Sequence, residues 1–314
     1  MSKNYEITVD GHPNIYNNLS PRSLNIYFAE PEYGCDNNTG VMIIIPGFGG
    51  FSNSNVYKKM RSYFADEYNL VTIQCDYFGL EFMQSDLLKE TNENFNDMGP
   101  LQAMDVISSV IMVQEIMKDN NLVYNTNKII AYGHSHGAYL AYLANAFAPN
   151  IFNLIIDNSS WLIPSYLFGN RQLRNLEETK EFNYRVKDMV DFDLEIYDLR
   201  KLYKKLNINC VIHSFHGDND NLISLRDKRN FIRPLRKSFL HEITADKVNE
   251  VFRSNTHGLD ADFLKMFEYV IKELKPEFEK RGKNKPKTHR IETSKFSYLI
   301  NFEDPIPVLL RQLK

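Results

Sequence analysis

A chain of 314 residues with 43% hydrophobic side chains is long enough to bury one sizeable core, and a formal net charge of −3 argues against a polyanion-binding surface, so nucleic acid is a poor partner. Three widely spaced cysteines (Cys35, Cys75 and Cys210) with no CxxC pair read as reduced thiols rather than a disulfide framework. The first residues lack the apolar core of a secretory signal and the apolar runs are strand length, so a cytoplasmic protein with no membrane span is expected.

In chain order, Tyr5, Ile7 and Val9, then Leu24, Ile26 and Phe28, alternate around Gly11, Pro13 and Asn17-Asn18, predicting an opening antiparallel hairpin. Residues 41–45 are continuously apolar, as in a strand covered on both faces, and run into Pro46-Gly47-Phe48-Gly49-Gly50. A helix is predicted over 54–68 and a short strand over 70–75. Residues 79–98 are polar and irregular and read as an insertion. Apolar spacing predicts a helix over 99–119, a strand over 128–132, a helix over 138–147 and a strand over 153–156. Residues 161–206 read as largely helical, charged and aromatic. Next come a strand over 210–215, a helix over 225–240, a short strand over 239–244 and a helix over 260–275. Alternating strands and helices imply a mostly parallel sheet covered on both faces.

Between the strand ending at Tyr132 and the next helix lies Gly133-His134-Ser135-His136-Gly137. A GxSxG pentapeptide alone is a weak signal, but the strand–turn–helix setting is the one a nucleophile elbow needs. The sharp turn leaves no room for side chains at the glycines, and it puts Ser135 at a helix N-terminus, where free N–H groups and the dipole favour a developing anion. Acyl transfer at Ser135 also needs oxyanion donors. The residue after the nucleophile, His136, supplies one backbone N–H. The glycine-rich loop at 46–50 supplies the other, assigned to Phe48 with Gly47 and Gly49 as alternatives.

Folds built on this turn run serine, acid, histidine. Of the eight histidines, His12 precedes the serine, His134 and His136 belong to the elbow, His213 lies in a strand and His289 in a basic tail. His257, in the polar run Asn255-Thr256-His257-Gly258 before the last core helix, is the candidate base. The acid should follow the strand ending at Phe215, in His216-Gly217-Asp218-Asn219-Asp220-Asn221-Leu222. Asp220 has the G-x-x-D spacing, Asp218 is two residues away, and Asp157 at the preceding strand end is a third option. The same run lacks the glutamate and spacing of a calcium loop, and period-2 geometry puts His213 and His216 on opposite strand faces, which disfavours a metal site.

These features resemble the α/β-hydrolase superfamily over about residues 20–275, and more closely a bacterial family of uncharacterised hydrolase-like proteins. The similar stretches are Ile156-Asp157-Asn158-Ser159-Ser160, the elbow, the turn into Asp220-Asn221-Leu222, and His257-Gly258. The resemblance implies that Asp220 is the acid. Pro46-Gly47-Phe48 departs from that family, which tends to place a second glycine before the aromatic.

Residues and resemblance together imply an α/β-hydrolase core over 1–157 and 207–275, a helical cap insertion over 158–206, and a basic linker with a C-terminal extension over 276–314. A strand at 296–302 would cover a sheet edge or pair with a second copy, giving a homo-oligomer. The expected chemistry is two-step acyl transfer through Ser135, His257 and Asp220, with no metal or organic cofactor. The expected substrate is a small ester or acylated sugar, beneath a cap carrying Trp161, Tyr166, Phe168, Phe182, Tyr184 and Phe192. A prolyl-oligopeptidase-like peptidase or amidase, and a non-enzymatic binding protein on a hydrolase scaffold, are the competing readings.

Overall fold

The chain opens with an antiparallel hairpin, β1 (Lys3–Asp10) and β2 (Ser23–Glu30), paired from Lys3 with Glu30 to Asp10 with Ser23. In this computed structural model every residue is described except 80–96, 165–166, 168–170, 175–178, 183–191, 207, 279–285 and 305. The expected insertion at 79–98 therefore lies almost wholly outside the described residues.

The all-apolar run forms β3 (Gly40–Ile45), every residue of which is buried. Its side chains divide with period 2: Val41, Ile43 and Ile45 enter one core, Met42 and Ile44 the other. Helix α1 (Asn55–Tyr68) starts where the Ser54 hydroxyl accepts from the Tyr57 N–H, and stops at Asn69 in the left-handed region. Strand β4 (Leu70–Cys75) returns beside β3. Helix α2 (Pro100–Asp119) begins with proline, whose fixed φ suits a first helical position, and is buried over most of its surface. Strand β5 (Ile129–His134), helix α3 (His136–Phe147) and strand β6 (Leu154–Asn158) follow.

Residues 158–206 depart from the largely helical expectation where they are described. They hold a two-stranded hairpin, β7 (Arg171–Arg174) with β8 (Thr179–Phe182), a 3-10 turn at Leu194–Ile196 and one short helix, α4 (Leu199–Tyr203). Four-residue strands rich in Arg, Lys and Glu are too short to show a period, and their composition favours a helical reading.

Strand β9 (Val211–Gly217) leads to α5 (Leu225–Ile232), which ends eight residues before the expected boundary. Pro234, two residues past the helix, cannot extend the hydrogen-bond ladder, and β10 (Ser238–Ile243) begins soon after. Helix α6 (Phe263–Glu268) continues into a π-helical turn, Tyr269–Leu274.

Eight strands form one sheet in the order β1-β2-β4-β3-β5-β6-β9-β10. Pairing is parallel from β4 to β10, and β2 is antiparallel to both its neighbours. Residues of α2, α3, α4 and α5 pack with one face of the sheet, those of α1 and α6 with the other. Sheet and helices together bring the ends of β3, β5, β6 and β9 to one rim.

The expected strand at 296–302 forms, but in a separate antiparallel sheet of β11 (His289–Glu292), β12 (Phe296–Asn301) and β13 (Val308–Leu313). Ile291, Phe296, Tyr298, Ile300 and Leu309 join the larger core. Thr293 Oγ1 and Tyr298 OH donate to the Asp193 carboxylate at 2.6 and 3.0 Å, and Leu309 N–H donates to His12 Nε2 at 2.7 Å. The three cysteines are free thiols.

Candidate active site

Ser135 stands between the last residue of β5 and the first of α3, with φ 53° and ψ −115°. A non-glycine residue held there stores of order 1–3 kcal/mol of strain. Its N–H donates to Asn158 O at 2.8 Å, and its own carbonyl accepts from Tyr139 N–H at 3.0 Å, so strand and helix hold the turn from both sides. Gly137 lies so close to the end of β3 that a Cβ would stand 2.1 Å from Ile45 O and 2.5 Å from Pro46 O. The elbow and the 46–50 loop are thus in direct contact.

His257 Nε2 is 2.7 Å from Ser135 Oγ, and His257 Nδ1 is 2.8 Å from Asp220 Oδ2. These three residues lie 122 and 37 positions apart in the chain. The acid and histidine loops meet at Gly217, where a Cβ would overlap the Asn255 carbonyl oxygen at 2.0 Å. Asp220 folds back on its own loop: Oδ1 accepts from Leu222 N–H at 2.8 Å and Ile223 N–H at 3.1 Å, leaving Oδ2 for the imidazole.

The Asp220 side chain is fully buried and that of His257 is 18% exposed. Burial pushes the Asp220 carboxyl up, but the hydrogen bond and charge of His257, with the Ile223 amide, outweigh it and leave the group below its ordinary range. An ionised Asp220 accepts from Nδ1–H, which makes Nε2 the acceptor for the Ser135 hydroxyl.

The other two candidate acids are elsewhere. Asp218 is exposed and accepts from Asn255 Nδ2 at 2.8 Å. Asp157 is buried and receives Tyr142 OH at 2.9 Å, Ser214 Oγ at 2.7 Å, Ser160 N–H at 2.7 Å and Lys228 Nζ at 2.7 Å. Burial raises its pKa, yet the Lys228 ammonium holds it below the usual carboxylate range. This pair ties β6, β9, α3 and α5 together beneath the site.

His136, one expected oxyanion donor, has a fully buried ring stacked at 4.9 Å on Trp161. The ring of Phe48, the other, lies 5.9 Å from His136 and 6.5 Å from Trp161. Of the aromatics expected in the cap, Trp161 therefore packs against His136 and Phe48, and Phe192 packs on Tyr197 at 5.0 Å. Tyr166, Phe168 and Tyr184 lie outside the described residues, and the Phe182 side chain does too. His134, next to Ser135, is pushed down to about 4 by burial and then by the nearby His257 charge, so it is neutral at pH 7.

Four residues beside the site carry no role in the sequence reading. His216 Nε2 lies 3.6 Å from Asp220 Oδ2 and donates to Ile223 O at 2.8 Å, steadying the acid loop. Lys228 sits fully buried on α5, and its i+3 and i+4 spacing to Phe231 and Ile232 was the available sign of an inward face. Asn158 and Ser159 reach across to the histidine loop, a contact with no signature in one strand end.

The description "Protein of unknown function (DUF2920)" belongs to a family matching residues 80–192, less than half of the chain but including the elbow and the end of β6. It agrees with the resemblance to uncharacterised hydrolase-like proteins. No curated protein matches the sequence. Among solved structures, the chain is similar to the apo form of Thermogutta terrifontis esterase 2, with 15% identity, 88% of this chain and 97% of that one covered, and a TM-score of 0.53. The propionate-bound form of the same esterase gives 16%, 88%, 97% and 0.52. Est1E from Butyrivibrio proteoclasticus is 18% identical over 79% of this chain and 91% of that one, with a TM-score of 0.49. Sheet order, the elbow and the likeness to Thermogutta terrifontis esterase 2 lead to one conclusion about architecture: the chain has the α/β-hydrolase fold.

Proposed function

We propose that this protein is a serine hydrolase that cleaves small esters through an acyl-enzyme, with Ser135 as nucleophile, His257 as general base and acid, and Asp220 as the orienting carboxylate. The observation that carries the reading is the unbroken chain Ser135 Oγ–His257 Nε2 at 2.7 Å and His257 Nδ1–Asp220 Oδ2 at 2.8 Å, built on a strained elbow.

His257 Nε2 takes the hydroxyl proton as Ser135 Oγ attacks the ester carbonyl, and the buried Asp220 carboxylate stabilises the imidazolium that forms. The oxyanion is received by the backbone N–H groups of His136 and Phe48, where loss of one such donor costs about 3–4 kcal/mol. Collapse of the tetrahedral species breaks the C–O bond, and His257 returns its proton to the departing alcohol. Water, deprotonated by His257, then attacks the acyl carbon and Ser135 leaves as the free hydroxyl.

The wall of Phe48, His136 and Trp161 favours a compact acyl group beside the nucleophile. We read residues 158–206 as the cap of this pocket and the substrate as a carboxylic or O-acetyl ester of a small or sugar-like alcohol. The esterase neighbours are consistent with this at the level of fold.

A fluorophosphonate probe tests the reading directly. Labelling of wild type but not of Ser135→Ala is expected, and absence of labelling in both overturns it. Faster turnover of short p-nitrophenyl esters than of aminoacyl anilides is the second expectation, and the reverse order would favour an amidase.

A further inference from the structure

Gly258 follows His257 directly and has φ +81°, so the histidine sits at the edge of a tight turn, within which Gly258 O accepts from Ala261 N–H at 3.2 Å. The end of β6 holds the same residue from outside the loop. Gly258 N–H donates to Ser159 Oγ at 3.1 Å, Ser159 O–H donates to Asn158 Oδ1 at 3.1 Å, and Asn158 Nδ2 donates to Gly258 O at 3.1 Å. The three bonds close into a ring, with every donor and acceptor role assigned.

Both side chains are fully buried, and Ser159 is itself held at φ 57°, with its N–H bonded to Phe215 O at 2.9 Å. Two residues of one strand end thus grip both polar faces of the residue after His257. The same strand end holds the other reactant, because Asn158 O accepts the Ser135 N–H at 2.8 Å. Strain at Ser159 and full burial of an amide and a hydroxyl are costs that packing alone would not require, since an apolar pair could fill the space.

We propose that Asn158 and Ser159 are positioning residues for acyl transfer, a clasp that sets the His257 imidazole against Ser135 Oγ through the Gly258 peptide. This rests on the reading that Ser135 and His257 carry the chemistry. The clasp touches neither substrate nor reacting atoms. It acts by fixing the histidine loop relative to the elbow, where a misplacement of about 1 Å costs on the order of 100-fold in rate.

The test uses Ser159→Gly, which removes the hydroxyl while relieving the positive φ, and Asn158→Asp, which keeps the shape and the Oδ1 acceptor but removes the donor to Gly258 O. The expected result is a fall in kcat of about 10- to 100-fold with KM within about twofold, and a matching fall in fluorophosphonate labelling rate. The double variant should lose less than the product of the single losses, because one ring is broken once. Proton NMR gives an activity-independent readout: the downfield Nδ1–H resonance of His257 should be sharp in wild type and broadened or lost in both variants.

Wild-type kcat in Ser159→Gly, or an unchanged downfield proton in both variants, overturns the clasp while leaving the esterase reading intact. If wild type neither hydrolyses esters nor takes the probe, the esterase reading fails, and the NMR comparison still decides the clasp. Asn158→Asp keeps the question answerable if Ser159→Gly folds poorly.

Discussion

Asp220 gives one carboxylate oxygen to its own loop and the other to His257: Oδ1 accepts the Leu222 and Ile223 amides, while Oδ2 stands 2.8 Å from Nδ1. The acid is therefore both a turn residue and the imidazole's partner, and its two tasks can be separated by mutation. Asp220→Asn keeps an oxygen for the amides but presents the imidazole with a group that supports the wrong tautomer. A loss in kcat of about 10⁴-fold is expected with little change in thermal midpoint, read by steady-state kinetics and calorimetry.

Asp157 should behave in the opposite way. Its carboxylate is buried against Lys228 and four hydroxyl or amide donors, so Lys228→Met leaves a buried charge without its counter-ion. A destabilisation of about 3–5 kcal/mol is expected from urea unfolding. Where enough folded protein remains, kcat should be much closer to wild type than in Asp220→Asn.

Ser135→Gly and Ser135→Ala should both abolish probe labelling but differ in stability. Glycine adopts φ 53° without penalty, whereas alanine keeps the strain. The glycine variant should be more stable than the alanine variant by about 1 kcal/mol in urea unfolding.

Stability should fall on mild acidification because His134 is held neutral. Its folded pKa is about 4, below the roughly 6.5 of an unfolded histidine, so the unfolded chain binds the proton first. The contribution is complete above pH 6.5 and is lost as pH falls toward 4. About 2 kcal/mol should go between pH 7 and pH 5. In His134→Asn, the slope of unfolding free energy against pH over this window should be shallower by close to one proton.

The C-terminal sheet should be part of the folding unit rather than an appendage. Asp193→Ala leaves the Thr293 and Tyr298 hydroxyls without their shared acceptor, at a cost of about 1–3 kcal/mol. A single unfolding transition at lower temperature is expected. A wild-type core transition preceded by separate melting of the tail would contradict this.

Most elements of the core were legible because their signals are local. Strand β3 announces two covered faces by being apolar throughout, and α1 announces its start by Ser54. The helix expected over 225–240 overshoots α5 because the apolar and basic residues past Arg233 keep a helical look, although Pro234 forbids it. Only one strand of the tail sheet has a clear sequence signal. β12 alternates over six residues, whereas β11 has only four, and β13 follows a proline-interrupted stretch. Among described residues no helix is long and apolar enough to cross a membrane.

The sequence by itself determined the elbow, the order of serine, acid loop and histidine, and the alternation that makes a covered parallel sheet. Each depends on neighbours in the chain: a glycine two residues from a serine, a strand before it, a helix after it. Spacing and resemblance favour Asp220, and tertiary structure gives the physical reason that it is the carboxylate that meets His257. Asp157, Asp218 and Asp220 are all plausible in a linear reading, but one is consumed by Lys228, one faces solvent, and one is turned by two amides toward the imidazole. The grip of Asn158 and Ser159 on Gly258, a hundred residues away, belongs to the same class. Hydrogen-bond geometry over such separations is set by how strand ends meet at the sheet rim, and no local pattern encodes it.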